Sequence, residues 1–401
     1  MILCDLTHSY TEPNSAIRTF IDARRNYIRE RTDHTHVLII PGASDRVEHR
    51  DRAVTLRLKA PRIPGPVGRR IFTSRKRLVA ALHYVRPDVL ELFSWYLEPW
   101  AALSYRQQHP RTLISGHFVT DVSEARVAAP IREFLGDIAT QPLNHLADRY
   151  LSRVVQHCDL ALASSAQQAK RLKALGASDP QLVKPGVDTT LFHPDRQSPA
   201  LRARLGIKQR ELMLCYAGRL ADEEVFASLI ATTREVNRCR PATLVIAGKG
   251  RLYPHLLQQQ KSGAPIRLVG SPDTRRELAE LLATADLFIT TAPVDTPNAS
   301  VLEARASGLP VINVGVTRAS KKMDQRAGNA RTAETTSVSA RQVLEAAGKR
   351  EELGKDARAK IEADRTWSST FEQAFALYET HRSRLPGASV SRSGAQPHAV
   401  A

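Results

Sequence analysis

Two carboxylates stand eight residues apart in the stretch DTPNASVLEARASG: Asp295 and Glu303. A carboxylate in the early turns of a helix can accept hydrogen bonds from the vicinal hydroxyls of a ribose or a hexose. Between the two acids lie Asn298, Ala299 and Ser300, small enough to let backbone N–H groups at a helix start approach an anion such as a diphosphate. The competing explanation is that acids in first turns simply suit the helix dipole. Two other stretches set cations beside glycines. YAGRLADEE, residues 216–224, offers Gly218 for close backbone approach and Arg219 as a two-pronged donor to phosphate oxygens. AGKGR, residues 247–251, makes a Gly-x-Gly loop of Gly248 and Gly250 with Lys249 and Arg251 alongside. Taken alone, each is equally a turn glycine followed by a solvent cation.

The elements that must carry these residues are short β-rich runs alternating with helical patterns. LMLCYAG (212–218), ATLVIAG (242–248), IRLVG (266–270), DLFITTA (286–292) and LPVINV (309–314) read as buried strands. Between them, Val225, Phe226, Leu229, Ile230 and Val236 share one helical face, as do Leu278, Leu281 and Leu282. Such regular succession implies a doubly wound parallel sheet, which takes ligands beyond the carboxyl ends of its strands. Asp295 then falls in a strand-to-helix loop and Glu303 in the following helix. The first half repeats the theme in HVLII (36–40), VLELF (89–93), RTLISGH (111–117) and LALASS (160–165), with helical patterns at 17–29 and 75–85. Pro and Gly punctuation places a linker near 185–195, and the small, polar end from residue 384 predicts a disordered tail.

A chain of 401 residues predicts at least two domains. No apolar run is long enough to span a membrane and the start lacks a leader pattern, so a cytosolic protein is expected. The four cysteines are widely spaced and form no C-x-x-C pair, which points to buried free thiols and to neither a disulfide framework nor a zinc site. The net charge of +17 attracts anions, and eleven basic residues against two acidic ones stand from Arg46 to Arg77. A solvated basic surface and an anionic-membrane patch both fit that segment. Aromatics at 5%, with no basic-aromatic interleaving, speak against nucleic acid.

Together, CYAGRLADEE, LVIAGKGRL, the run from IRLVG to LPVI and the linker VKPGVDTTLFHP resemble the nucleotide-sugar-binding half of a retaining family four glycosyltransferase. RPDVLELF, SGHF and CDLALASSAQQAKRLKALGA are similar to the acceptor half, and the N-terminal DLTHSY and VLIIPGASD stretches to its mannosyltransferase branch. The resemblance implies a GT-B fold of two facing Rossmann-like domains. Residues 1–187 would form the acceptor domain, 188–355 the donor domain, 356–383 a terminal helix crossing back, and 384–401 the tail. It implies transfer of a hexose, with GDP-mannose favoured over UDP-sugars, to a lipid-linked or glycan hydroxyl, with retention and without an obligatory metal. Arg219 matches the phosphate-gripping arginine, Glu303 the ribose-contacting acid, Asp295 the acid near the donor sugar and His117 the sugar-contacting histidine. The Arg46 to Arg77 segment would hold the enzyme at the inner face of an anionic membrane.

The chain departs from the family pattern in three ways. Asp295 stands where glutamate is usual, Glu224 where a second diphosphate cation is usual, and Ser15 and Ala16 where an N-terminal loop is glycine-rich. A carboxylate beside a diphosphate repels it unless turned away or paired. A degenerate homologue acting as a binding subunit is therefore the alternative expectation.

Overall fold

The computed structural model describes residues 1–10, 16–62, 70–118, 146–292, 298–315 and 338–386. Asp295 and Ser15, both singled out above, lie outside the described residues, as does most of the expected tail. The chain forms two compact units, one of Met1–Lys184 with Thr370–Ala401 and one of Pro185–Ser369.

The first unit is built on an eight-stranded sheet. Its strands are β1 (Ile2–Leu6), β2 (Thr35–Gly42), β3 (Arg46–Arg50), β4 (Ala53–Lys59), β5 (Val89–Leu92), β6 (Leu113–Phe118), β7 (Leu160–Ala163) and β8 (Gln181–Leu182). They lie in the order β3-β4-β2-β1-β5-β6-β7-β8, and all neighbours are parallel except the edge hairpin β3–β4. Central strands such as LALA in β7 are buried at every residue, which is why they read as unbroken apolar runs. Helices α1 (Ala16–Arg31), α2 (Arg75–Val85), α3 (Glu98–Arg106) and α4 (Ala166–Ala174) accompany it. Ser74 and Ser165 start α2 and α4, their hydroxyls accepting the N–H groups of Arg77 and Gln168.

The second unit carries the five-stranded parallel sheet β11-β10-β9-β12-β13. After α5 (Pro199–Arg204) come β9 (Leu212–Ala217), α6 (Glu223–Asn237), β10 (Ala242–Ala247), α7 (Tyr253–Lys261) and β11 (Ile266–Gly270). Then follow α8 (Arg275–Thr284), β12 (Leu287–Thr290), α9 (Ala299–Ala306), β13 (Val311–Asn313) and α10 (Arg350–Asp364). Strand order reverses between β9 and β12, the crevice where doubly wound sheets take ligands. Asp286 fastens the base of this sheet: its Oδ2 accepts from Met213 N (2.8 Å) and Arg202 Nη2 (3.0 Å), and its Oδ1 pairs with Arg350.

The expected terminal helix over 356–383 is two helices, α10 ending at Asp364 and α11 beginning at Trp367 (Trp367–Arg382). Between them the backbone runs beside residues 186–187: Val187 N donates to Arg365 O at 2.8 Å, and Val187 bridges Thr366. Gly186 is required there, since a Cβ would sit 2.6 Å from Trp367 N. From Thr370 on, α11 belongs to the first unit and buries Phe371, Phe375 and Tyr378 in it.

The expectation of buried thiols holds for Cys4 and Cys215 but not for Cys239, which is exposed at the end of α6. Burial pushes the thiols of Cys158 and Cys215 up to about 12, so neither is poised as a nucleophile.

Candidate functional site

At the carboxyl ends of β9 and β10, two loops are laced together. Leu220 N donates to Lys249 O (2.9 Å), Leu252 N to Leu220 O (3.1 Å) and Arg251 Nε to Ala221 O (2.9 Å). This lacing explains the glycines differently from the sequence reading. A Cβ on Gly248, whose φ is +152°, would lie 1.9 Å from Gly218 O, and one on Gly250 2.0 Å from Leu220 O. Close approach is required, but by the neighbouring loop. Gly218 likewise faces the Tyr216 ring, where a Cβ would come within 2.9 Å of the hydroxyl.

The lacing holds Arg219 and Lys249 at the strand ends, both exposed and, among the described residues, without an ion-pair partner. Glu224 is exposed in the first turn of α6, where Asp222 caps the helix by accepting from Glu224 N at 3.0 Å. That placement suits the helix dipole.

Glu303 is held differently from an exposed first-turn acid. It lies in the second turn of α9, 3% exposed, and its Oε1 is 2.8 Å from Arg275 Nη1. Arg275 opens α8, which is capped by Thr274 accepting from Glu277 N while Glu277 Oε2 accepts from Asp273 N. The guanidinium lies over the ring of buried Phe192, 4.9 Å from its centroid. Burial raises the Glu303 pKa, and the Arg275 charge and hydrogen bond act against that rise. Arg275 and Phe192 were missed in the sequence. The arginine reads as a surface residue, and Phe192 belongs to the linker stretch.

The N-terminus of α9 is less open to an anion than its small residues imply. Asn298 Oδ1 accepts from Ser300 N at 3.0 Å, and Asn298 O accepts from Val301 N and Leu302 N. Among the described residues, the Ala299 N–H has no acceptor. A bound anion there must compete with the cap.

In the first unit, His117 lies on β6, within the strand read from RTLISGH, and belongs to a buried charge cluster. Its residue exposure is 2%, its ring stacks on Phe93 and meets Phe20 edge-on, and its Nδ1 donates to Glu91 Oε1 at 2.8 Å. Arg24 lies at the centre, wholly buried, donating to Asp5 Oδ1 (2.6 Å), Glu91 Oε1 (3.1 Å) and Tyr378 Oη (3.1 Å). Tyr378 in turn donates to Glu91 Oε2, and Asp5 Oδ2 meets His36 Nε2 at 2.8 Å. Burial alone would lift the Glu91 carboxyl, but Arg24, His117 and Tyr378 outweigh it and hold the pKa at about 2. Among the described residues His117 Nε2 has no partner, leaving it as the ring atom able to meet a ligand.

Comparison with known proteins follows the same division. Residues 25–191 match the model described as Glycosyltransferase Family 4, and residues 211–345 the one described as Glycosyl transferases group 1. The GDP-mannose-dependent alpha-(1-6)-phosphatidylinositol dimannoside mannosyltransferase of Mycobacterium tuberculosis is 27% identical over 315 residues, 78% of this chain and 79% of that one. The GDP-mannose-dependent alpha-mannosyltransferase of Corynebacterium glutamicum is 25% identical over 302 residues, 75% of this chain and 67% of its own. Among solved structures, sucrose-phosphate synthase from Thermosynechococcus elongatus superposes with a TM-score of 0.65 at 17% identity, covering 94% of this chain and 98% of that one. Anabaena HepE in complex with UDP and glucose gives 0.62 at 16% identity, covering 95% and 100%. The fold of both units is that of the GT-B enzymes. Among the described residues, no helix is long and apolar enough to cross a membrane.

Proposed function

We propose, since the chain is a glycosyltransferase of the group 1 family with the GT-B fold, that it transfers mannose from GDP-mannose to a hydroxyl of a lipid-linked or glycan acceptor, with retention at the anomeric carbon. Arg219 carries this reading: an unpaired guanidinium at the carboxyl end of β9, beside the point where strand order reverses. Breaking the bond between the anomeric carbon and the diphosphate oxygen leaves negative charge on the diphosphate. Arg219 and Lys249 stabilise it from the laced loops, with Gly218 and Gly248 setting the loop positions, and without a divalent ion. The free oxygen of Glu303 accepts from the ribose hydroxyls while Arg275 holds the other. Asn298, Ala299 and Ser300 present the α9 N-terminus to the diphosphate, the Ala299 N–H being the donor left open by the cap.

His117 offers Nε2 to a sugar hydroxyl, with Glu91 as the positioning residue that fixes its ring, and Asp295 is the acid assigned to the donor sugar. The acceptor hydroxyl attacks from the face the diphosphate leaves and gives its proton to the departing phosphate oxygen, so no side chain is assigned as general base. The first unit takes the acceptor and the second the donor. GDP-mannose is chosen because two relatives are named for it. The basic segment from Arg46 to Arg77 holds this protein, working in the cytoplasm, at an anionic bilayer face.

The test is a panel of GDP-, UDP- and ADP-sugars, with transfer and hydrolysis both measured. GDP-mannose should be turned over, and Arg219→Ala should lower kcat/KM by about 100- to 1000-fold, in the range for loss of one preorganised charge-stabilising donor. If no sugar nucleotide binds and Arg219→Ala changes no activity, the transferase assignment of this site is wrong and the degenerate homologue replaces it.

A further inference from the structure

A cavity of about 740 Å³ opens in the first unit between α1 and the β3–β4 hairpin, within the size range of small-molecule sites. Six arginines line it: Arg18, Arg25 and Arg29 from α1, and Arg50, Arg52 and Arg57 from the hairpin. Asp22, Glu48 and Asp51 are the acids present, so cations exceed anions by three (six less three). On α1 the charged lining positions 18, 22, 25 and 29 form a single stripe, beside the buried stripe of Ile17, Phe20, Ile21, Arg24 and Ile28, the last of which also lines the cavity. The hairpin register sets Glu48 opposite Thr55 and Arg50 opposite Ala53, which forms the facing wall.

The arginines are not equivalent. Arg57 pairs with Glu48 (3.2 Å), Arg52 with Asp33 (2.8 Å) and Arg18 with Asp22 (3.5 Å), while Asp22 also accepts from the Tyr10 hydroxyl. Arg25 is half-buried and meets only uncharged acceptors: His36 Nδ1 (3.0 Å), Val54 O (3.0 Å) and Thr55 Oγ1 (2.8 Å). Its Nη1 has no acceptor among the described residues, and burial lowers its pKa. Arg50 has no partner among the described residues either. A partly desolvated guanidinium that touches no carboxylate is costly even with Asp5, Asp22 and Glu48 acting on it from a distance, and an anion seated in the cavity offsets that cost.

We propose that this cavity is a binding site for a multiply charged phosphate ester, gripped by Arg25 at its floor and Arg50 at its rim. Planar guanidinium forks match phosphate oxygens, and two guanidinium groups that touch no carboxylate, Arg25 and Arg50, call for a compact ligand of more than one charge. The proposal goes beyond sugar transfer and does not depend on it. It also separates the hairpin arginines from Arg75, Lys76 and Arg77, which share the basic segment but do not line the cavity.

The full-length chain is titrated calorimetrically with inorganic tripolyphosphate at fixed ionic strength, and separately with phosphatidic acid vesicles and phosphatidylcholine vesicles. Saturable one-to-one binding of tripolyphosphate is expected, weakened about tenfold by Arg25→Gln or Arg50→Gln. It should change less than twofold in the double variant Arg75→Gln/Lys76→Gln. Binding should also persist in Arg219→Ala, which separates this cavity from the donor site. Arg50 is exposed, so its variant stays informative if Arg25→Gln unfolds. Competition between tripolyphosphate and phosphatidic acid vesicles identifies a lipid headgroup as the source, and tripolyphosphate binding without competition a soluble phosphate ester. Absence of saturable binding, equal weakening by the Arg75/Lys76 pair, or loss in Arg219→Ala overturns the proposal.

Discussion

Arg275 Nη1 lies 2.8 Å from Glu303 Oε1, joining the first residue of α8 to a carboxylate sealed within α9. Because burial lifts the folded pKa of Glu303 above its ordinary 4.5, its contribution to stability is complete below that value and declines as pH rises through the raised one. Removing Arg275 strips the charge that opposes the lift. Arg275→Ala should cost little near pH 4.5 and about 2–3 kcal/mol at pH 8, the buried-pair penalty discounted for the solvent-exposed part of Arg275. Urea unfolding at both pH values checks this. An equal penalty at the two would show that the arginine acts through its packing on Phe192.

Glu224 offers a gain-of-function test. Its side chain is exposed and makes no ion pair among the described residues, so replacement leaves the fold intact. Glu224→Lys should tighten binding of a nucleoside diphosphate about five- to tenfold at low salt, with the gain shrinking as the Debye length falls. A lysine in the first turn opposes the helix dipole and should cost about 0.3–1 kcal/mol of stability. Affinity unchanged at every ionic strength would place the diphosphate away from α6.

Gly248→Ala and Gly250→Ala separate chain packing from ligand approach. Each Cβ would enter the carbonyl oxygen of the opposing loop, at 1.9 and 2.0 Å. Both variants should lose about 3 kcal/mol or more without any ligand present, since backbone must shift to admit the methyl group. Thermal unfolding of the ligand-free protein reads this directly. Full stability with weakened nucleotide binding would return these glycines to the role their Gly-x-Gly spacing first suggested.

Tyr378→Phe tests the buried cluster of the first unit. The hydroxyl donates to Glu91, whose carboxyl is held at about 2, below its ordinary 4.5. A depressed carboxyl contributes stability above its unfolded value and loses it as pH falls toward the folded one. Without the hydroxyl the Glu91 pKa climbs, so the acid-unfolding midpoint should move upward, and at pH 7 about 1.5–3 kcal/mol should be lost. Circular dichroism across an acid titration measures both.

The second unit was readable because its strands are buried on both faces and end in glycine or polar loops. LMLCYAG, ATLVIAG and IRLVG differ from β9, β10 and β11 by at most one residue. Helix α2 begins at Arg75 and ends at Val85, as its apolar spacing predicts. The hairpin β3–β4 escaped notice because RVEHR is an edge strand whose pattern solvent sets, and because Arg57 and Lys59 interrupt the apolar alternation of AVTLRLK although Val54, Thr55 and Leu56 are buried. Asp5, Arg24 and Glu91 were invisible for a related reason: a charged residue reads as surface, and only tertiary structure reveals that Arg24 is buried between the two carboxylates. Gly218 was read as a close-approach position and Gly248 as part of a Gly-x-Gly loop, but the group that approaches Gly248 could not be named from spacing.

Tyr378 also sets an order of events during synthesis. The polar centre of the first unit is assembled from Asp5, Arg24, Glu91 and a tyrosine encoded 287 positions after Glu91. While the ribosome is still short of that codon, Arg24 and Glu91 are committed to an interior that lacks one of its donors, whereas Pro185–Ser369 emerges as an uninterrupted stretch. The half made second is therefore the half that can finish first, and the nascent first half is the part exposed to chaperones and proteases in the interval.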